Sequence, residues 1–292
     1  MAMSKNGLPV YGIDDFGNAL STEQHFYINA LSSHLTEHSF VTKPHRHDFF
    51  IIVYISQGSG NHTIDFVNYN VKPGVWFFLM PGEVHNWSFS ADIEGEILFF
   101  DAEFLQCYFA HKKPADYTLY RKNIKYLNLQ GNEQQPFLLN IIHELKTEYI
   151  QYYPKENDLI KDYLDILLIR LGRCISQEKE SLQKDSGQWQ LQALQVLIEQ
   201  YSTKEQSPAF YAEKLHLSVK YLNELCKKYL DKTTSQLIHE RVILEAQRLL
   251  AHAEITANQV ADQLNFKEYS YFSRFFKKMV GQTPVEFKRS VK

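Results

Sequence analysis

Two groups of side chains in this sequence have types and spacings suited to chemistry: histidines in the first part and clustered lysines and arginines in the last. Nine of the twelve histidines precede Gly187. His45-Arg46-His47 opens an apolar run at residues 49–55, and side chains two apart on a strand share a face. His85 follows two apolar runs later, just after Pro81-Gly82-Glu83-Val84. Imidazole is both a hydrogen-bonding group and a ligand for Zn²⁺ or Fe²⁺. Other chemistries lack their residues. Cys107, Cys174 and Cys226 are scattered with no CxxC pair, against a zinc ribbon or a disulfide framework. There is no phosphate-cradling glycine loop and no credible Ser/His/Asp arrangement.

The charge distribution frames the second group. The 292 residues carry 31 Lys+Arg against 34 Asp+Glu, a net charge of −3 that by itself argues against a nucleic-acid partner. Residues 1–186 hold 16 basic and 23 acidic side chains, a balance of −7, whereas residues 187–292 hold 15 and 11, a balance of +4. An acidic part beside a mildly basic one permits a DNA-binding domain joined to something else. The length predicts two domains at about 100–200 residues each. The longest wholly apolar run, 49–55, is far short of the ~20 residues that span a bilayer, and residues 1–10 lack a signal-peptide pattern. A cytoplasmic protein with no membrane partner is expected.

Positioning these groups requires two different architectures. Gly58, Gly60, Pro73, Gly74, Pro81 and Gly82 punctuate short apolar runs, predicting strands at 48–55, 63–71, 75–80, 85–90 and 94–100. The continuous run 49–55 reads as a strand buried on both faces, and strands at this spacing imply a sandwich or barrel. From Gly131 the period becomes helical, with Leu138, Ile141, Ile142, Leu145 and Tyr149, then Ile160, Tyr163, Leu164, Leu167, Leu168 and Leu171. Ile166 and Ile169 widen the second stripe, which either packs over the barrel or meets a second copy. Residues 176–187 are polar and aperiodic, as in a linker.

Residues 209–280 contain neither Gly nor Pro, so the last part is mostly helical. Ser207 before Pro208, Ser218 with its Leu217/Leu222 staple, and Thr256 with Gln259 mark helix starts. They define a short helix at 208–214, a turn at 215–217 and a longer helix from Val219. The pattern returns as a short helix at 257–264, a turn at Asn265-Phe266 and a longer helix to about Met279. A helix over 235–252 joins these two helix-turn-helix units.

Residues 261–289 (ADQLNFKEYSYFSRFFKKMVGQTPVEFKR) closely resemble the signature of AraC/XylS-type transcription regulators, and the resemblance extends over 189–289, including Arg241, Ala246, Leu249 and Leu250. Asn265 stands at the usual turn glycine, Asp231 at the glycine after the first recognition helix, and Cys226 at a usually aromatic core position. The resemblance implies that each second helix enters the major groove of double-stranded DNA, where all four base pairs are distinguishable. Lys220, Asn223 and Glu224 would face bases in one groove, and Ser270, Tyr271 and Arg274, with Tyr269 beside them, in the next. Lys227, Lys228, Lys277 and Lys278 suit phosphates.

Residues 42–87 resemble the two cupin motifs, which fits the sensor half of many such regulators. In metal-binding cupins the HxH pair, a nearby Glu and a later His surround one ion, so His45, His47 and His85 would converge. Phe50 and Ile51 occupy the positions of the Glu, leaving Asp48 or Glu83 as substitutes off the family spacing. The expectation is that His45, His47 and His85, with Trp76 and Trp87, line a small-molecule pocket or are structural, with no functional metal and no cofactor. The sequence is thus read as a cupin-like barrel with flanking helices (1–130, helical or dimerising segment 131–175), a linker (176–187) and an all-α double helix-turn-helix domain (188–292). The function expected is a ligand-controlled, dimeric DNA-binding regulator that meets RNA polymerase if it activates, and not an enzyme. The competing reading is a metal-dependent cupin enzyme or metal sensor built on the three histidines.

Overall fold

Strand alternation explains how one sheet serves two cores. A computed structural model describes residues 8–16, 25–38, 43–106, 114–151, 154–175 and 186–291. The chain divides into a unit built on Pro9–Glu180 and a unit built on Ser181–Lys292.

In the first unit the strands are β1 (Val10–Tyr11), β2 (Phe26–Ala30), β3 (Arg46–His47), β4 (Phe50–Gln57), β5 (Gly60–Ile64), β6 (Val67–Val71), β7 (Val75–Leu79), β8 (His85–Phe89), β9 (Glu94–Phe100) and β10 (Tyr126–Asn128). An antiparallel sheet runs β10-β7-β4-β9-β2, and a three-stranded sheet runs β6-β5-β8. β1 pairs in parallel with β3, and His45 bridges His85. The predicted strand 63–71 is instead a hairpin, β5 and β6, turning at Asp65 and Phe66. Both turn residues have positive φ, 44° and 68°, without the glycine that usually announces such a turn.

Odd-numbered side chains of the large sheet, among them Ile51, Val53, Phe77 and Phe99, face a core shared with Ile64, Val71 and Trp87 of the small sheet. Even-numbered ones, among them Ile52, Trp76, Phe78 and Leu98, pack under α4 (Gln135–Gln151) and α5 (Glu156–Ile175) through Leu138, Leu145, Leu164 and Leu168. The run 49–55 is accordingly buried on both faces, as alternation with no polar member requires. Among the described residues this unit also contains the short α-helices α1 (Leu31–Glu37), α2 (Ala102–Gln106) and α3 (Thr118–Arg121). At Gly95 an added Cβ would lie 1.9 Å from the Tyr54 carbonyl oxygen, so only glycine lets β9 approach β4 there. The additional apolar stripe on α5 stays outside the core: Ile166 and Ile169 are 39% and 38% exposed, beside exposed Leu159.

The second unit comprises α6 (Ser186–Tyr201), α7 (Pro208–Lys214), α8 (Val219–Leu230), α9 (Thr234–His252), α10 (Ala257–Gln263), α11 (Tyr269–Val280) and α12 (Pro284–Ser290). Residues 176–185 of the expected linker lie outside the described residues. Ser186 and Gly187 are not linker but the first turn of α6. Gly187 lies against Leu225 and Tyr229 of α8, where a side chain would meet Leu225 at 2.8 Å. One apolar core, including Leu194, Tyr211, Leu222, Val242, Leu250 and Phe272, unites the seven helices.

Candidate functional site: a duplicated helical reader and a buried histidine cluster

The helical unit repeats its own local chemistry at an offset close to 50 residues. Ser207 Oγ accepts from the Ala209 N–H and Ser218 Oγ from the Tyr221 N–H, starting α7 and α8. Thr256 and Gln259 form a reciprocal capping box at α10. Thr233 with Gln236 and Thr283 with Glu286 repeat that box at α9 and α12. His216 (φ 54°) and Asn265 (φ 60°) supply the left-handed residue of each inter-helix turn. Asp231 (φ 53°) and Gly281 (φ 88°) end α8 and α11 in the same conformation, so Asp231 occupies the place of a glycine. Cys226 fills the core position matched by Phe276, with its Sγ 3.4 Å from Thr234 Oγ1.

The repeat aligns two outward faces. The exposed residues include Lys220, Tyr221, Glu224, Lys227 and Lys228 on α8, and Ser270, Tyr271, Arg274, Lys277 and Lys278 on α11. Both follow the spacing i, i+1, i+4, i+7, i+8 that defines one side of a helix. Tyr221, 40% exposed, therefore matches Tyr271, 58% exposed. Sequence reasoning missed Tyr221, although the 50-residue offset points to it. Arg274 Nε donates to the Ser270 carbonyl at 3.3 Å, and its terminal nitrogens extend from an exposed side chain. Ser270 Oγ donates to Glu268 Oε2 at 3.2 Å.

Two expected readers are placed elsewhere. Asn223 is half-buried, and its Oδ1 accepts the Thr234 N–H at 3.2 Å, securing the first turn of α9. Tyr269 is half-buried against Phe272, on the core side of α11. Beside Arg274 and Tyr271 lies an open cleft of about 570 Å³ that Lys204 and Lys267 also line. The loop before α7 is fixed to the second turn by Gln206 donating to the Leu264 carbonyl and Asn265 donating to that of Lys204. Behind the reader, Arg241 of α9 holds Glu199 of α6 through two bonds of 2.7 and 2.6 Å, and Glu245 accepts from Arg241 and Arg248.

In the sheet unit, sheet pairing gathers histidines from separate strands. His85 Nε2 lies 2.5 Å from His47 Nε2, and His85 Nδ1 lies 2.9 Å from His62 Nε2 of β5. His45 Nδ1 donates to the Lys43 carbonyl at 2.7 Å. One ring nitrogen from each of His45, His47 and His85 falls within 4.8 Å of the others. All four rings are at most 1% exposed. Burial lowers the pKa of His45 to about 4 and of His62 to about 3, and holds His47 and His85 well below the usual range. All four are neutral at physiological pH.

Trp87 borders the cluster, its ring 4.9 Å from that of His85. Trp76 does not: its even-numbered position turns it beneath the helices, against Tyr54. Neither substitute carboxylate joins the trio. Asp48 is exposed, and Glu83 accepts from the Met80 N–H and the Lys125 ammonium. His62 was not legible as a member, because the predicted strand 63–71 left it outside.

Among the described residues no helix is long and apolar enough to cross a membrane. Residues 25–148 match the model of the AraC-like ligand binding domain, and residues 211–290 match a helix-turn-helix domain model. The chain is 23% identical over 244 residues to the HTH-type transcriptional activator RhaR of Mannheimia succiniciproducens, covering 84% of this chain and 86% of that protein. The RhaR of Escherichia coli strain K12 is 21% identical over 247 residues, with the same coverage. Among solved structures, ToxT from Vibrio cholerae O395 is similar over 92% of this chain and 99% of its own, at 14% identity and a TM-score of 0.43. The two domain models together take in more than two thirds of the sequence, in the order sensor then reader, and the chain belongs to the AraC family of DNA-binding transcription regulators.

Proposed function

We propose that this regulator reads one DNA site with two recognition helices, α8 and α11, under the control of an effector bound by its N-terminal unit. The observation that carries this reading is the equal spacing of the exposed faces on α8 and α11, one set by Lys220, Tyr221 and Glu224, the other by Ser270, Tyr271 and Arg274. Two helices in one rigid core suit two successive major-groove segments on one side of the duplex. Arg274 pairs with guanine O6 and N7, and Glu224 favours a cytosine amino group. Lys227, Lys228, Lys277 and Lys278, joined by Lys204 and Lys267 at the cleft, neutralise phosphates. Asn223 and Tyr269 act from behind the interface, by orienting α9 and α11.

In this reading residues 1–130 form the sensor, 131–175 the helical segment, 176–185 contain the connection, and 186–292 form the reader. The protein acts in the cytoplasm as a homodimer, with Leu159, Ile166 and Ile169 of α5 supplying the apolar face for a second copy. If it activates transcription, as the name of its RhaR relatives says of them, it contacts RNA polymerase. An effector acts by binding one arrangement of sensor and reader more tightly than another.

Selection of the purified chain against random duplex DNA tests the reading, repeated across salt concentrations. The expected result is a motif with two readable segments about 10 base pairs apart. Enrichment of no sequence at any salt concentration would refute it.

A further inference from the structure

We infer that Gln206 and Asn265 form a polar clasp between the two helix-turn-helix pairs, which fixes the distance between α8 and α11 and so the number of base pairs between the segments they read. The inference rests on the two-helix reading proposed above. It gives these residues a positioning role, not a contact with bases.

Three consecutive residues in the loop before α7 build the clasp. The Lys204 carbonyl accepts from Asn265 Nδ2 at 2.8 Å, and the Glu205 carbonyl accepts from the Tyr211 hydroxyl at 2.6 Å. Gln206 Nε2 donates to the Leu264 carbonyl at 3.0 Å. Tyr211 belongs to α7 and is fully buried, so the middle bond anchors the loop to the first helix pair. The outer two bonds reach the second pair, 61 and 58 residues further along the chain.

Both partners in the second pair are suited to this role. Leu264 ends α10, where the last carbonyls of a helix lack partners in their own helix, and Gln206 supplies one. Asn265 makes the left-handed turn toward α11 with φ 60°. The turn itself does not need the amide: His216 makes the matching turn of the first pair with φ 54°. Glycine would also make it, but has no side chain to reach Lys204. The Asn265 amide therefore serves the link between the pairs.

The link lies where it controls spacing. The two pairs pack against α9, a helix of 19 residues and so about 28 Å long. Packed helices still slide and rotate by small amounts along a shared interface. Rotation of one pair about the α9 axis swings its recognition helix relative to the other. The clasp joins the pairs away from α9, and two bonds side by side resist rotation as well as separation. The scale matters, because one base pair moves the second segment by about 3.4 Å along the duplex and about 35° around it. The same loop and turn line the cleft that Tyr271 and Arg274 border, so the clasp also brings Lys204 to the edge of the second reader.

The test uses the full-length chain and the two-segment motif obtained by selection, rebuilt with one base pair added or removed between the segments. Fluorescence anisotropy at fixed salt compares wild type, Asn265→Gly, Gln206→Ala and the double variant. Wild type should prefer the selected spacing over both altered duplexes. One net hydrogen bond corresponds to about a 2- to 10-fold factor in an equilibrium, so the double variant should shrink that preference about fourfold or more. Discrimination of single base pairs within each segment should stay as in wild type, since Glu224 and Arg274 are untouched. Glycine suits φ 60°, and Gln206 lies outside the apolar core, so circular dichroism should show unchanged helix content.

A double variant with the wild-type spacing profile overturns the clasp. So does one that loses affinity equally at every spacing, which is what a merely structural role would give. If the double variant loses helix content, the single variants decide, each expected to shrink the preference about twofold or more. A wild-type chain indifferent to spacing overturns the clasp and leaves the two-helix reading standing. Selection of a motif with one readable segment overturns that reading, and the role of the clasp with it.

Discussion

Arg274→Ala separates base reading from general attraction to DNA. The arginine is exposed, and its described hydrogen bond runs to the carbonyl of Ser270 in its own helix, so its removal leaves no buried group unpaired. A surface change of this kind shifts folding stability by no more than about 0.5 kcal/mol, and alanine favours helix at least as well as arginine. A bidentate contact to guanine contributes about 1–3 kcal/mol of discrimination, and tenfold in affinity corresponds to about 1.4 kcal/mol. Affinity for the selected motif should therefore fall about 5- to 150-fold. Fluorescence anisotropy at fixed salt would compare the motif, every single-base-pair variant of it, and a random duplex. Discrimination should disappear at one position and persist at the others, with a smaller loss on the random duplex. If the mutant still distinguishes every base pair as wild type does, or loses equally on motif and random DNA, Arg274 is a phosphate contact or a bystander.

Lys277→Ala and Lys278→Ala should each lower affinity on all sequences alike and reduce the slope of log affinity against log salt by about 1, which a salt titration would detect; an unchanged slope removes that lysine from the backbone contacts. Asn223→Ala should cost about 1 kcal/mol of stability by orphaning the Thr234 N–H, whereas Asn223→Asp keeps an acceptor and most of that stability. Urea melts would show it, and equal midpoints for both variants would contradict the capping role. Gly95→Ala should destabilise the N-terminal unit by about 1–3 kcal/mol or more because its Cβ would overlap the Tyr54 carbonyl, so an unaltered melt would refute that close approach. Leu164→Ala, at a fully buried position beneath the sheet, should cost about 2–5 kcal/mol in the same assay; a cost under about 1 kcal/mol would mean α5 is not packed there.

The legible parts of this molecule depend on near neighbours in the chain. Ser207, Ser218 and Thr256 cap amides two or three residues away, so their helix starts are written locally. The positive φ at Asn265 follows from its own short polar side chain. The hairpin at Asp65-Phe66 was not legible, because its left-handed turn uses no glycine and the apolar alternation runs straight through it. Trp76 was misplaced for a related reason: periodicity says that it alternates with Val75 and Phe77, not which face meets the histidines.

By itself, the sequence determined two domain types, the repeated helix-turn-helix pattern and the basic face of α11, because helix capping and a 3.6-residue period act over a few residues. Tertiary structure decided which of those side chains are available. Asn223 is drawn to the start of α9, eleven residues away, and Tyr269 turns toward the core. It also decided which histidines meet. His47 and His85 are 38 residues apart, and His62 reaches His85 from 23 residues away, so their contact is set by strand order and register across two sheets. Local pattern does not encode pairing between distant strands; the pairing emerges when both faces of the large sheet are buried at once.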